Sequence, residues 1–405
     1  MDLSRMDTHH LASEPKSVAA RQEPDSLSLF FLVFKTGLLT ILTLGIYRFW
    51  QTTRIRQYLW GSTSANDSAL EYTGTGLEKF IGFLIALVIL ALYLGVLQML
   101  LFYFGLSMFN VSSSATNPAE QVRYLIVVYM HVIAVLPLLF YASYQKRRYM
   151  MSRTRWCGIR FSMEKGAWGY VIRAIGYRLL TVVTLGALAP LATFKLEQYM
   201  AARSYYGDAR IKQGGSWPRL YSSLTHLFIG IVILLVCLGI FTWGYNGLAT
   251  ALLCVGGVWV AIGVVYYQVK SFAYMTSHKT LGEEVSFKAE PRTGAIIRIY
   301  FIAAVGMGVM SLFIIFIISV MTAIFDFGIS SVTVGFIGAA LSYIFLFLLF
   351  QAMKMVMITQ PILGHYVQTF SIINPEPLHQ IQQRQADDAV GAEGVADALD
   401  VAGAF

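Results

Sequence analysis

The chain has 405 residues, 57% of them hydrophobic and only 13% charged, with a mean hydropathy of +0.62. Soluble domains carry roughly a quarter charged residues, so this composition excludes a soluble globular protein and makes the bilayer the expected solvent. The net charge of +8 could suit nucleic acid, but the bases flank apolar runs, where they set topology and meet anionic lipid headgroups, and no nucleic-acid partner is expected.

Residues 1–26 are polar, with five acids against three bases, no apolar core and no small-residue cleavage site, so a disordered tail is expected there and not a signal peptide. A repeated membrane domain is expected over residues 27–373. It begins with LLTILTLGIY from Leu38, which returns as LLTVVTLGAL from Leu179, marking an internal duplication. The two TLG segments, about 36–50 and 177–194, are short for a crossing of ~20 residues. The second also lies between two basic stretches, Lys146 to Arg178 and Lys195 to Arg219, so a full span would leave one of them on the far side. A re-entrant or interfacial helix is the preferred reading, with two further spans as the alternative if Lys35 snorkels.

Six runs are long and apolar enough to cross: about 80–106, 124–144, 220–243, 247–269, 299–325 and 331–353. The connecting stretches SMFNVSSSATNPAEQ, Gly244 to Asn246 and DFGIS from Asp326 hold no Lys or Arg, whereas the connections 48–79, 146–219 and 270–298 are rich in both. The positive-inside rule therefore puts those three connections, and both termini, in the cytoplasm. Related text follows each helical return: RQYLWGST at Arg56, RRYMMSRT at Arg147, EQYMAARS at Glu197 and FAYMTSHK at Phe272, with KMVMITQP at Lys354 as a weaker fifth copy. After these cores come period-two stretches, ALEYTG from Ala69, GIRFSMEKG from Gly158, ARIKQGG from Ala209 and EVSFKAE from Glu284, which read as short strands pairing at the cytoplasmic interface. Residues 374–405 carry six acids against one base and too few large apolar groups for a core, so a second disordered tail is expected.

Chemistry is sparse. Cys157, Cys237 and Cys254 lack ligand spacing, no HExxH, GxSxG or phosphate-cradling glycine loop occurs, and neither an enzyme, a metal nor a cofactor is expected. His131 and His226 stand alone in the apolar runs, which fits core packing better than a proton relay, and Asp326 at an outer loop is expected to be solvated. Gly335, Gly338, Ala339 and Ser342 resemble a close helix-packing face. The distinctive candidates are Thr40, Thr43 and Gly45 with Thr181, Thr184 and Gly186. Their hydroxyls either bond back to their own helix or line a polar path or lipid-headgroup site. Arg54, Arg56, Arg147 and Arg148 are the expected cytoplasmic basic face.

At TLGIYRFW from Thr43 and TRIRQYLWGST from Thr53, with LEYTG at Leu70 and IRFSMEKG at Ile159, the chain resembles the YjgN-like family of bacterial inner-membrane proteins, a domain of unknown function. The resemblance runs from about Ser28 to Ile373, although TLGALAP in the second copy lacks the Tyr and Trp. It implies the bacterial inner membrane and no particular activity. The expected fold class is an all-α polytopic membrane protein with six to eight transmembrane helices, internal repeats and short cytoplasmic strands. The expected function is a transporter or channel-like protein for a small or lipidic solute. The alternative is a non-catalytic scaffold or regulatory subunit holding a protein partner or anionic lipid.

Overall fold

The computed structural model describes residues 17–106, 117–328 and 332–384. Within them, pairs of helices alternate with pairs of strands. Strand β1 (Ser17–Gln22) leads into α1 (Ser26–Leu42) and α2 (Arg48–Gly61), then β2 (Thr63–Ala65) and β3 (Ser68–Tyr72). Next come α3 (Gly76–Tyr103) and α4 (Pro118–Ser152), β4 (Thr154–Trp156) and β5 (Ile159–Met163), and α5 (Ala167–Val183) and α6 (Ala189–Ala201). Strands β6 (Ser204–Tyr206) and β7 (Ala209–Gln213) are followed by a 3-10 turn, Trp217–Leu224, that feeds α7 (Thr225–Thr242) and α8 (Asn246–Ser277). The last round is β8 (Lys279–Leu281), β9 (Val285–Ala289), α9 (Thr293–Gly328) and α10 (Val332–Lys354), which continues through a π turn into α11 (Gln360–Gln368) and β10 (Phe370–Ile373).

Among the described residues, six helical segments are long and apolar enough to cross a membrane: Gly76–Tyr103, Pro118–Ser152, Trp217–Thr242, Asn246–Ser277, Thr293–Val320 and Ala340–Gln368. Only 11–17% of their most apolar windows is buried, so most of that surface has no protein partner and is suited to lipid. The protein is therefore a multi-pass helical membrane protein. The two TLG segments differ from the expected single short helices. Each is the tip of a helical hairpin, because Leu44 and Gly45 (φ 51° and 93°) end α1 and turn the chain into α2, and Leu185 and Gly186 (50° and 89°) do the same between α5 and α6. Glycine takes such angles without a Cβ clash, and Leu44 and Leu185 project at the tips, each 95% exposed. Since α1 starts from one strand of the sheet and α2 delivers the chain to its neighbour, these hairpins return to the side they left. The reading with two further spans is not followed.

The strands form a closed antiparallel barrel in the order β1-β10-β9-β8-β7-β6-β5-β4-β3-β2. Strand β1 closes it, pairing Val18 with Ile372 on one side and Ala20 with Ala65 on the other. Closure leaves no strand edge unpaired, which short strands beside a membrane require. Two of the hairpins use two-residue loops with positive φ: Asn66 and Asp67 (51° and 58°), and Cys157 and Gly158 (48° and 76°). Trp156, Tyr206, Leu281, Val285 and Ile372 form the barrel core, with Leu378 and Ile381 of the following segment packed against it.

Both tail boundaries shift. Residues 17–26, expected within a disordered tail, supply β1 and the N-cap Asp25, whose carboxylate accepts from the Leu27 N–H at 3.0 Å. Residues 374–384 lie against the barrel, where Asp208 N–H donates to the Gln382 carbonyl at 3.0 Å and Arg160 N–H to Gln383 Oε1 at 2.7 Å. The remaining tail residues, 1–16 and 385–405, lie outside the described residues. Strand β1 was hidden because its inward residues are Ala20 and Gln22, which carry little apolar signal alone.

The same stitch holds the base of each helical pair. The backbone N–H of Glu23, Thr73, Glu164, Gly214 and Glu290 donates to the carbonyl of Ser62, Arg153, Arg203, His278 and Thr369, at 3.0, 2.8, 2.9, 2.8 and 3.1 Å respectively. The recurrent tyrosine reinforces it. Tyr58 Oη donates to the Asp25 carbonyl (2.8 Å), Tyr149 to Glu78 Oε2 (3.1 Å) and Tyr199 to the Gly166 carbonyl (2.9 Å), while Tyr274 Oη accepts from Ser216 N–H (2.8 Å). In the fifth pair His365 Nε2 takes this place, accepting from Arg292 N–H at 2.9 Å. The fifth text is therefore HYVQTFSI at His365, and KMVMITQP at Lys354 instead spans the π turn and the start of α11. Tyr199→Phe, which deletes one bond of a half-buried hydroxyl, is expected to lower stability by about 1 kcal/mol. Tyr366→Phe, whose hydroxyl takes no part in the clamp, should cost less. Thermal unfolding of the detergent-solubilised protein reads the difference.

Candidate functional site

The threonines are occupied by their own hairpins. Thr43 Oγ1 donates to the Leu39 carbonyl (2.7 Å) and accepts from Tyr47 N–H (2.9 Å), and Thr184 Oγ1 donates to the Leu180 carbonyl (2.7 Å) and accepts from Leu188 N–H (3.2 Å). Each hydroxyl thus bridges the end of one helix and the start of the next. Thr40 bonds to the Thr36 carbonyl at 2.8 Å and to Gln51 Oε1 at 3.2 Å, and Thr181 to the Tyr177 carbonyl at 2.8 Å. Gly45 and Gly186 are needed for their positive φ, not for room, since nothing lies within 4 Å of where a Cβ would stand. The threonine hydroxyl bonds of the two copies stay within their own hairpins, Tyr221 Oη reaches the Ala187 carbonyl of the second tip at 2.9 Å, and none of these bonds joins one copy to the other.

The expected basic face is mostly interior. Arg54 is exposed, with its guanidinium 5.7 Å from the Tyr47 ring centre. Arg56 is only 5% exposed and lies over Tyr72 at 6.0 Å, and Arg148 is buried, donating from Nε to the Met163 carbonyl at 3.0 Å. Arg147 grips Glu197 of α6 with both terminal nitrogens, at 2.6 and 3.0 Å, and Lys279 of β8 reaches the same carboxylate at 2.6 Å. The correction has a geometric cause: these residues lie where α2 and α4 descend into the sheet, so positions adjacent to a basic exterior in sequence turn inward. Glu197 carries the strongest electrostatic consequence. Burial alone would raise its carboxyl, but the charges of Arg147 and Lys279 overcome that and hold it at about 2.

The histidines are packed. His131 has Val127 carbonyl and Gln98 Oε1 each at 2.8 Å from its two ring nitrogens, and His226 lies edge-on to Tyr266 with ring centres 4.6 Å apart. Ser342 bonds back to the Gly338 carbonyl at 2.9 Å, whereas the side chains of Asp326, Gly335 and Ala339 lie outside the described residues.

The concave site is the barrel itself. A cavity of about 530 Å³ is walled by inward strand residues including Ala20, Leu70, Trp156, Tyr206, Leu281 and Phe287. Phe272 of α8 and Leu363, Tyr366 and Val367 of α11 line it toward the helices, and Leu378 completes it beyond the strands. Its polar atoms are largely consumed: Trp156 Nε1 donates to the Ala65 carbonyl (3.2 Å) and Tyr206 Oη to the Trp156 carbonyl (3.0 Å). Burial pushes the Tyr206 phenol well above its ordinary range, so it stays neutral. Such a chamber suits an apolar ligand and falls within the ~300–1,000 Å³ typical of small-molecule sites. Sequence reasoning missed it because half of the strand residues that wall it come from strands of three residues, too short to show alternation. The available signal was the inward set Leu70, Phe161, Ile211 and Phe287 at every second position of the longer strands.

The family model described as "Bacterial protein of unknown function (DUF898)" matches residues 25–312. No curated protein and no solved structure matches the chain.

Glu197→Gln leaves the partly buried Arg147 and Lys279 against a neutral amide and should destabilise the protein by about 1–3 kcal/mol. The wild-type carboxylate is depressed in the folded state, so its contribution is full above the unfolded value of about 4.5 and is lost as pH falls toward about 2. Melting curves across this window should therefore steepen for the wild type relative to the variant.

Proposed function

The chain belongs to the DUF898 family of bacterial proteins of unknown function, and from that premise we propose that it is a non-catalytic transporter-like protein of the bacterial inner membrane that accommodates a lipidic solute in its strand barrel. The observation that carries this reading is the apolar chamber: α8 and α11, two of the helices suited to lipid, contribute Phe272, Leu363, Tyr366 and Val367 to its wall, so the apolar surface of the helices continues into the barrel. A lipid chain moving along that surface would stay out of water throughout. The scarcity of ionisable groups within the apolar runs favours a passive route over ion-coupled transport. The alternation of helical and strand pairs, tied by the same stitch, supports descent from a single duplicated unit.

Charge supports placing the barrel and both termini in the cytoplasm. Arg21, Arg155, Arg210, Lys212 and Lys288 are exposed on the strands, where the positive-inside rule puts bases and anionic headgroups lie within reach. These same outward bases carry the second reading, a scaffold that holds an anionic lipid or an acidic partner.

Two measurements test the proposal. Cys157 lies exposed on the β4–β5 turn, so a membrane-impermeant maleimide should modify it in inverted vesicles and leave it untouched in intact cells. Labelling from outside would overturn the orientation. Ala20→Phe, which adds a ring inside the chamber, should reduce retention of a radiolabelled acyl probe by about tenfold while the barrel persists, since overpacking costs only about 1–3 kcal/mol. Unchanged retention would favour the scaffold.

A further inference from the structure

The hairpin turns of the barrel lie at the end away from the helices, because each helical pair joins the strands at the other end. That far mouth is crossed by the segment that follows β10. Asn374, with φ 55°, turns the chain out of the strand, and Glu376–Gln380 continue as a 3-10 turn. The next contacts fall on β5 and on the β6–β7 turn. Arg160 N–H donates to Gln383 Oε1 at 2.7 Å, Asp208 N–H donates to the Gln382 carbonyl at 3.0 Å, and Gln382 N–H donates back to Asp208 Oδ1 at 3.2 Å. In a ring of ten strands, β6 and β5 stand four and five places from β10, on the opposite wall. The segment therefore spans the mouth from side to side.

Its side chains and its landing site fit that crossing. Leu378 and Ile381 pack on the barrel core, and Leu378 lines the cavity, so the segment sets apolar groups beneath the chamber. A Cβ on Gly207 would stand 2.6 Å from Ile381 Cγ2 and closer still to the Gln382 carbonyl oxygen, whereas at Gly158 and Gly282, on two other turns, nothing lies within 4 Å. Of these three turn glycines, only the one beneath the crossing is needed for room. Past the rim the chain passes to the outer wall. Tyr205 alternates with the inward Tyr206 and so points outward, and the Arg384 guanidinium lies 4.7 Å from its ring centre, with Nη1 3.8 Å from Glu164 Oε1.

These anchors are weaker than the ladder they cross. The side-chain bonds and the ion pair are exposed, and Leu378 and Ile381 are only half-buried. A unit held by few buried contacts and by solvent-exposed bonds opens at a fraction of the cost of unfolding the whole. We propose that residues 374–384 form a releasable strap that closes the far mouth of the chamber, and that its lifting is the route between the chamber and water. For its cargo the proposal rests on the reading of the barrel as a lipidic chamber; the closure rests on the contacts alone. Ile381 and Leu378 supply the stopper, Gly207 the room for it, and Arg384 the hook that holds it over the rim.

The test places a thiol in the chamber wall as Ala20→Cys, in a chain carrying Cys157→Ser to remove the exposed turn thiol. Its modification by a charged, water-soluble maleimide is followed on the full-length protein in detergent micelles, and the same chain with Ala20 intact gives the background of Cys237 and Cys254. Labelling of this parent should be slow and proportional to the population with the strap lifted. Gly207→Ala, which drives a Cβ against the strap, should speed it by about tenfold. Arg384→Ala removes the hook while leaving every strand residue in place, and should speed it by about fivefold. Gly282→Ala imposes a similar backbone strain, at φ 64° against 56° for Gly207, on a turn the strap does not touch. It should leave the rate within about twofold of the parent. Rapid labelling of the parent, or a rate that neither strap variant raises, would overturn the closure. Equal acceleration by Gly282→Ala and Gly207→Ala would overturn it too, by placing the effect in the barrel itself. The reagent reads access whether or not an acyl chain binds, so failure of the acyl probe to be retained would remove the lipidic cargo and leave the strap in place.

Discussion

Closure of the strand barrel is the constraint on which the rest depends. Its strands are three to six residues long, too short to be stable alone or in isolated pairs, and each unpaired edge would leave backbone groups unsatisfied beside a membrane. Only the full ring satisfies them. Closure requires β1 from one end of the described chain to lie between β2 and β10 from the other, so the helical pairs are drawn into a circle by their own connections. Packing of α1 against α10 follows from the same closure.

The junction between barrel and helices is where sequence-adjacent bases become structural. Each helical pair is stitched at its base by a backbone bond and, in four cases, by a tyrosine hydroxyl, which leaves the upper parts of the long helices free to face lipid. Between the second and third pairs the junction also holds the partly buried Arg147–Glu197–Lys279 group, joining α4, α6 and β8 through one carboxylate. Such a group is held by mutual compensation: its net contribution is modest, but removing one member is costly. It fixes the relative position of three elements at a point where apolar packing, which is non-directional, would not.

The two short hairpins occupy a different role from the three long pairs. Their arms, 17 residues in α1 and α5, reach roughly 25 Å at about 1.5 Å per residue, and their tips expose Leu44 and Leu185. Both flank the α3–α4 pair, which is held farther up by Tyr93 Oη on the Ala134 carbonyl and by the contact between His131 and Gln98. The threonine–glycine motif is the chemistry of a tight helical turn, with a hydroxyl bridging the two helices and a glycine supplying positive φ.

Length, hydropathy and charge placement by themselves determined that this chain is a multi-pass membrane protein, where its six long apolar helices lie, and that strands follow the tyrosine cores. These properties are local: a run of apolar residues needs no partner to prefer lipid. The period-two stretches at Ala69, Gly158, Ala209 and Glu284 were legible because five residues suffice to show alternation. Tertiary structure alone decided that the TLG segments are turns, that β1 and β10 close a barrel, and that Arg56, Arg147 and Arg148 face inward. It also decided that the barrel encloses an apolar cavity. Each of these depends on which distant residue arrives opposite, such as Ile372 beside Val18 or Glu197 beside Arg147, and three-residue strands carry too little pattern to announce their partners.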